Sequence, residues 1–218
     1  MKPRRVAFLG FDGFNALDLT GPAEVFASAL IETGDGPRPG YSVTVLGLTG
    51  RQLRAESGLV FKSHLPANAR VTFDTLIVPG GSGLREPKVN ARVARWIKER
   101  APRVRRIASV CTGIYGLAAT GLLDGRRVTT HWRFARDVAE TFTGLEMVPD
   151  ALYVKDGSFY TSAGVTAGID LALAMVEEDY GAEVAFVLGL ARRFGVEPSR
   201  ILDMGCGTGR HSEEFWKQ

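Results

Sequence analysis

The residues best equipped for chemistry in this sequence are a cysteine, an acid and a histidine, each set where an apolar run gives way to a turn. Cys111 stands in RIASVCTGIYG, where a β-branched run meets small residues and then a helical pattern. A nucleophile on such a corner needs small neighbours, here Ser109 and Gly113, so that the backbone passes closely and the side chain is left at the top of a sheet. Free N–H groups at the start of the following helix would favour the thiolate and lower the thiol pKa. Taken alone, Cys111 reads equally as a small buried apolar residue, as free cysteines often are. Three further segments bear on the choice. Pro79-Gly80-Gly81-Ser82-Gly83 follows a strand-like run, and glycines there let backbone N–H groups line an oxyanion hole. His131, in VTTHW, follows another run and is either a catalytic group or a hydrogen-bonded structural one. Asp18, in ALDLTGP, is an acid in an apolar stretch just before a helix.

The elements that must position these residues are legible in the apolar pattern. Val6 to Phe11, Tyr41 to Leu48, Thr75 to Pro79 and Ile107 to Val110 are nearly continuous apolar runs, as expected of strands covered on both faces. Helical patterns lie between them. Pro22 to Ile31 begins with proline at a first helical position, and in Pro87 to Glu99 the residues Val89, Val93, Trp96 and Ile97 share one face. Gly113 to Leu123 and Trp132 to Phe142 are read in the same way. Leu152 to Val154 and Phe159 to Thr161 form a hairpin through an Asp-Gly turn, and Ala167 to Glu178 is a strongly apolar helix. Alternating strand and helix predicts an α/β fold, a mostly parallel sheet with helices on both faces. Ligands of such folds bind beyond the carboxyl ends of the strands, which is where Asp12 to Asp18, Gly80 to Gly83, Cys111-Thr112 and Thr130-His131 fall.

Composition narrows the classes. With 218 residues, 45% hydrophobic and 23% charged, the chain is neither disordered nor collagen-like, and two distant cysteines make no disulfide scaffold. The length suits one large domain, or one domain with an appendage. A net charge of +3 from 27 basic and 24 acidic residues is a small excess. The clusters Arg103, Arg105, Arg106 and Arg126, Arg127 flank apolar runs and read as solvated strand entries rather than a nucleic-acid patch. No apolar stretch reaches the ~18 residues of a membrane span, and the basic N-terminus is broken by Gly10, Asp12 and Gly13 before any signal-peptide core. A cytoplasmic protein is expected. Neither the three histidines nor the two cysteines have zinc-ligand spacing, so no metal or organic cofactor is expected.

The motifs ALDLTGPAEVF, IVPGG, SVCTG, AATGLLDGRRVTTHW and TSAGVTAGIDLAL, in that order, resemble the ThiJ/PfpI superfamily over roughly Arg5 to Ala185. That resemblance implies a flavodoxin-like three-layer αβα sandwich, related to class I glutamine amidotransferases, with a cysteine nucleophile elbow. Two subgroups share the motifs: isonitrile hydratases and the amidase-like sensor domains of AraC-type regulators. THWRFARDVAETF and VPDALYVKDGSFYTSAGV look closer to the regulators, while the DLTGP and SVCTG segments suit either. By the resemblance, Cys111 is the elbow nucleophile and Asp18 its carboxyl partner. Gly80, Gly81 and the Thr112 backbone supply N–H donors, the Thr112 hydroxyl lies nearby, and His131 falls where many members place a histidine. Glu24 is better read as helix charge. An ionised Asp18 beside Cys111 would oppose the thiolate, so Asp18 must be protonated when the thiolate exists or take and return its proton during turnover.

Three functions follow as expectations. The first is a cysteine-dependent hydratase that converts an isonitrile to an N-substituted formamide through a Cys111 thioimidate. The second is a ligand- or redox-sensing domain lacking its helix-turn-helix module. A redox-responsive chaperone or deglycase is a broader third reading, less suited to SVCTG and to an Asp in place of Glu. The partner is a small neutral molecule, direct nucleic-acid and membrane binding are not expected, and the superfamily implies a homodimer. The domain is placed at residues 1–194. In 195–218 the stretch SRILDMGCGTGRH resembles the first motif of class I S-adenosylmethionine-dependent methyltransferases, in which a glycine-rich loop lets the cofactor approach the backbone. A single βα fragment cannot enclose that cofactor, so methyltransferase activity is not expected and Cys206 is a bystander.

Overall fold

A computed structural model describes residues 2–31 and 33–181. The tail motif around 199–211 and the boundary drawn after residue 194 lie outside the described residues. Seven strands form one sheet: β1 (Arg4–Gly10), β2 (Tyr41–Gly47), β3 (Leu65–Pro66), β4 (Thr75–Val78), β5 (Arg106–Val110), β6 (Tyr153–Asp156) and β7 (Phe159–Ser162). Their spatial order is β6-β7-β5-β4-β1-β2-β3, and every neighbouring pair is parallel except the β6–β7 hairpin. The helices are α1 (Ala16–Ser28), α2 (Pro87–Arg100), α3 (Ile114–Ala118), α4 (Ala135–Thr141) and α5 (Thr166–Tyr180). Helices α1 and α5 pack together on one face, and α2 packs with α3. The central strands are apolar on both faces because both faces are covered: Val6 through Leu9, Leu76 through Val78, and Ile107 with Ala108 are all buried.

Several boundaries differ from the sequence reading, each for a local reason. Helix α1 starts six residues before Pro22, because the Asn15 side chain accepts the N–H groups of Leu17 and Asp18 and caps the helix there. Pro22 then sits inside α1, where it cannot donate to the Asp18 carbonyl four residues back. Asp18 is therefore a first-turn helix residue, not a loop residue. Helix α3 is only five residues long and ends at Ala118, and Trp132–Phe134 is a separate 3-10 turn before α4. In the hairpin, Asp156 pairs with Phe159, so the two-residue loop is Gly157-Ser158 with Gly157 at φ 61°. Arg127–Val128 pairs with Glu146–Met147 in a small sheet of its own.

The basic cluster before β5 is not simply a solvated strand entry. Arg106 is 1% exposed and donates through Nη2 to Asp179 at 2.6 Å and through Nε to the Thr75 hydroxyl at 2.8 Å. Tyr41 donates to Asp179 at 2.7 Å and Arg105 does so at 2.8 Å. Tyr41, Thr75 and Arg106 are the first residues of β2, β4 and β5, so one buried aspartate near the end of α5 clamps that helix to the amino ends of three strands. A charge removed from water to this depth is tolerated because it is multiply paired.

Candidate active site

At the opposite end of the sheet, β1, β4 and β5 lie side by side, and the loops leaving them build the candidate site. After β1 the chain moves through β2 and β3, then returns to place β4 on the other flank of β1. The carboxyl ends of β1 and β4 thus diverge at a topological switch point, where open α/β sheets leave a crevice.

Cys111 occupies the corner between β5 and α3 at φ 56°, a left-handed conformation that a non-glycine residue adopts only when its surroundings hold it there. Its N–H donates to the Ala163 carbonyl at 3.1 Å, and its carbonyl accepts from the Thr130 hydroxyl at 2.7 Å. Gly113 is needed because a Cβ there would lie 2.2 Å from the Val78 carbonyl oxygen. The expected elbow, with small flanking residues, is thus the observed geometry. Ser109 is fully buried and its hydroxyl has no hydrogen-bond partner among the described residues.

Asp18 is 0% exposed and faces Cys111 from the first turn of α1. Its Oδ2 accepts the Gly80 N–H at 3.1 Å, whereas Oδ1 has no hydrogen bond of ordinary geometry. Burial raises the carboxyl to about 6, against the opposing pull of the Cys111 thiol and the Gly80 and Val165 N–H groups. Burial, and then the Asp18 charge, push the Cys111 thiol up to about 12, although the Thr112 N–H favours the thiolate. The expected lowering of the thiol pKa is not what this geometry gives. The helix behind the elbow is too short to contribute much of a dipole, and the carboxylate opposes it.

Gly80 and Gly81 lie beside the pair, but both N–H groups point at the site's own side chains. Gly80 donates to Asp18, and Gly81 donates to the Thr112 hydroxyl at 2.8 Å. No side chain fits at Gly80, where a Cβ would come within 2.7 Å of both Asp18 Oδ2 and the Thr112 nitrogen. His131 is half-buried next to the site. Its ring packs on Gly164 and the Trp132 and Phe134 rings, and its Nδ1 accepts the Arg133 N–H at 3.2 Å.

Two contributors, Val165 and Glu56, were not singled out by sequence reasoning, and a third, Thr130, was placed beyond a strand end without a role. Thr130 holds the elbow carbonyl. Val165, at φ 51°, aims its N–H at Asp18 from the entry to α5. Glu56 accepts from the Asn15 side chain and from the Ser82 N–H at 2.9 and 2.8 Å. Thr130 was already among the residues expected beyond the strand ends, Val165 lies in the TSAGVTAGIDLAL motif but acts only through its backbone, and Glu56 carries no motif signal. Among the described residues, no cluster of three or more His, Cys, Asp or Glu is placed to hold a metal ion, and no helix is long and apolar enough to cross a membrane. The arrangement supplies a buried thiol and a carboxyl that together hold one proton near neutral pH, a pair able to add sulfur to an electrophile and pass the proton on.

The chain matches the DJ-1/PfpI family over residues 4–178. It is 33% identical to an isonitrile hydratase of Pseudomonas putida over 194 residues, which span 89% of this chain and 80% of that enzyme. It is 31% identical to the HTH-type transcriptional regulator GbdR of Pseudomonas aeruginosa over 84% of this chain but only 48% of the regulator. Among solved structures, a ThiJ/PfpI family protein from Pseudomonas syringae superposes with a TM-score of 0.70 at 24% identity, covering 100% of this chain and 86% of the other. An AraC family transcriptional regulator from Pseudomonas putida gives 0.71 at 23% identity, covering 88% of this chain and 100% of that one. Sheet order, elbow and sequence agree, and the chain belongs to the DJ-1/PfpI family.

Proposed function

We propose that the protein hydrates a small neutral isonitrile to an N-substituted formamide, with Cys111 as nucleophile and Asp18 as its acid–base partner. The observation that carries this reading is the buried Asp18–Cys111 pair, in which burial brings the carboxyl to about 6. As sulfur attacks the terminal isonitrile carbon, the Asp18 carboxylate takes the thiol proton. It then delivers that proton to the same carbon, leaving a thioimidate on Cys111. Asp18, ionised again, takes a proton from water as the oxygen adds and gives it to the nitrogen, and as collapse expels the sulfur it takes the remaining hydroxyl proton while the formamide forms. Cys111 recovers its proton from Asp18, so one water is consumed and no net proton is lost. The Gly80 N–H holds the carboxyl in place and the Gly81 N–H orients Thr112, whose own N–H faces the sulfur. His131, beside Gly164, shapes the rim. The isonitrile hydratase relative at 33% identity supports the substrate class.

Formamide formation from a panel of alkyl isonitriles tests the reading. Wild type turns over at least one, and Cys111→Ala loses on the order of 10⁴-fold or more. If wild type produces no formamide while a small molecule still raises the Tm, the second reading holds: a ligand-sensing domain. That reading is supported by the alignment with half of a transcriptional regulator and by a thiol held neutral at rest. A homodimer in the cytoplasm belongs to the same proposal, and sedimentation equilibrium checks the oligomeric state.

A further inference from the structure

Glu56 lies in the turn between the short strands Gln52–Arg54 and Val60–Lys62. An exposed glutamate in a turn is ordinarily a solvated charge, but both oxygens of this one are engaged by distant segments. Oε1 accepts the Asn15 side-chain amide at 2.9 Å across 41 residues, and Oε2 accepts the Ser82 N–H at 2.8 Å across 26. Its own N–H donates to the Phe14 carbonyl at 2.9 Å, and Ala55 bridges Phe14, so the turn is fixed against the loop leaving β1.

We propose that Glu56 is a positioning residue for the Asp18–Cys111 pair, its carboxylate tying the Asn15 cap of α1 to the glycine loop that carries Gly80 and Gly81. The proposal rests on the reading of those two residues as the reacting pair. The mechanism is one of orientation, beside a smaller direct effect in which the Glu56 charge opposes ionisation of Asp18. Asn15 has a donor end and an acceptor end. With its NH2 held by the Glu56 carboxylate, its Oδ1 must face the Leu17 and Asp18 N–H groups, at 3.0 and 3.2 Å. A flipped amide would set oxygen against carboxylate and NH2 against N–H. The Asn15 N–H meanwhile donates to the Gly80 carbonyl at 2.7 Å, and the Gly80 N–H to Asp18. Glu56 therefore closes a ring of hydrogen bonds running through Asn15, the first turn of α1, Asp18, Gly80 and Ser82. Asp12 and Arg54 share the groove in which it sits, and neither takes either oxygen.

The test uses the full chain with Glu56→Gln and Glu56→Ala, and Glu86→Gln as an exposed charge control on the far side of the same glycine loop. Iodoacetamide labelling of the Cys111 peptide is followed by mass spectrometry against pH, with Tm measured on the same samples. Glu56→Gln keeps the shape but turns a donor toward one of its two donors. The Cys111 labelling midpoint is expected to move to lower pH as Asp18 loosens from the sulfur, and kcat on an isonitrile to fall about 10- to 100-fold with little change in KM. Glu86→Gln leaves both unchanged. A role confined to stability would lower Tm and leave the labelling midpoint where it was. If Glu56→Gln labels as wild type does, or if Glu86→Gln shifts the midpoint equally, the positioning role is overturned. Should Glu56→Ala fail to fold, Glu56→Gln alone decides. Absence of isonitrile turnover in wild type would remove the hydratase reading and leave the labelling comparison standing.

Discussion

Asp18 keeps its proton to about pH 6 in the folded chain, whereas an unfolded aspartate loses it near the ordinary 3.8. Between those values the folded state binds more protons, so this residue's contribution to stability falls as pH rises through the window and stays low above it. Asp18→Asn is expected to abolish that fall, making the variant more stable than wild type at pH 7.5 by up to about 3 kcal/mol while the two converge below pH 4. Urea denaturation at the two pH values measures it, and equal stability at pH 7.5 would show that the carboxyl is not held under strain. The same substitution removes the negative charge facing the sulfur, so Cys111 in Asp18→Asn is expected to label at lower pH than in wild type, even as turnover falls by ~10²-fold or more. If the protein turns over an isonitrile, a pH–rate profile is expected to show kcat/KM rising up to about pH 6 and then levelling. Cys111, Asp18, Gly80 and Thr112 were legible in the sequence because each sits where an apolar run stops at small or polar residues. The direction of the thiol shift was not, since it depends on burial and on the carboxylate, neither of which a linear pattern displays.

At the scale of elements, the glycine loop shows how closely the backbone is packed around the pair. Gly81 has φ 137°, and a Cβ there would lie 2.2 Å from the Gly13 carbonyl and 2.6 Å from the Asn15 nitrogen. Gly125 has φ 73° with nothing within 4 Å. Gly81→Ala is expected to cost about 2–4 kcal/mol, from strain and clash together, and Gly125→Ala about 1 kcal/mol, from backbone strain alone. Equal losses in thermal denaturation would mean that the loop yields to the added methyl. The sequence marked the loop through its glycines but misplaced the start of α1, because Pro22 is a conventional opening residue and the capping role of Asn15 rests on a side-chain hydrogen bond. The long helix expected after Cys111 shortened for a related reason. The Gly121 and Gly125 backbones take positive φ and turn the chain away, while Leu123 is buried and Leu122 half-buried without being helical.

For the molecule as a whole, the two ends of the sheet divide the labour. The carboxyl ends hold the Asp18–Cys111 pair, and the amino ends converge on Asp179. Asp179→Ala strands Arg106 in the interior with its Nη2 unpaired, beside an Nη1 that already has no partner. The expected loss is about 3–5 kcal/mol in urea denaturation, with the pH dependence of Cys111 labelling unchanged in the folded protein. A shifted labelling profile would mean that the clamp also governs the site. Six strands of the central sheet and the α/β class were legible in the sequence, whereas the two-residue edge strand β3 was not. The strand order, the separate Arg127–Val128 ladder and the burial of Arg106 were not, because each is settled by pairings between segments tens of residues apart. The position of β7 has a consequence for how the protein is made. The Ala163 carbonyl that holds the elbow and the Val165 N–H that faces Asp18 both follow this strand, which is inserted beside β5 after all the other parallel strands have been synthesised. A ribosome that has released residues only as far as 150 has already delivered Cys111, Asp18 and the glycine loop, yet β5 still lacks its neighbour and presents an open edge. During synthesis the cysteine corner therefore waits for β7 before its backbone is held, and a nascent chain stalled there would leave its thiol open to modification.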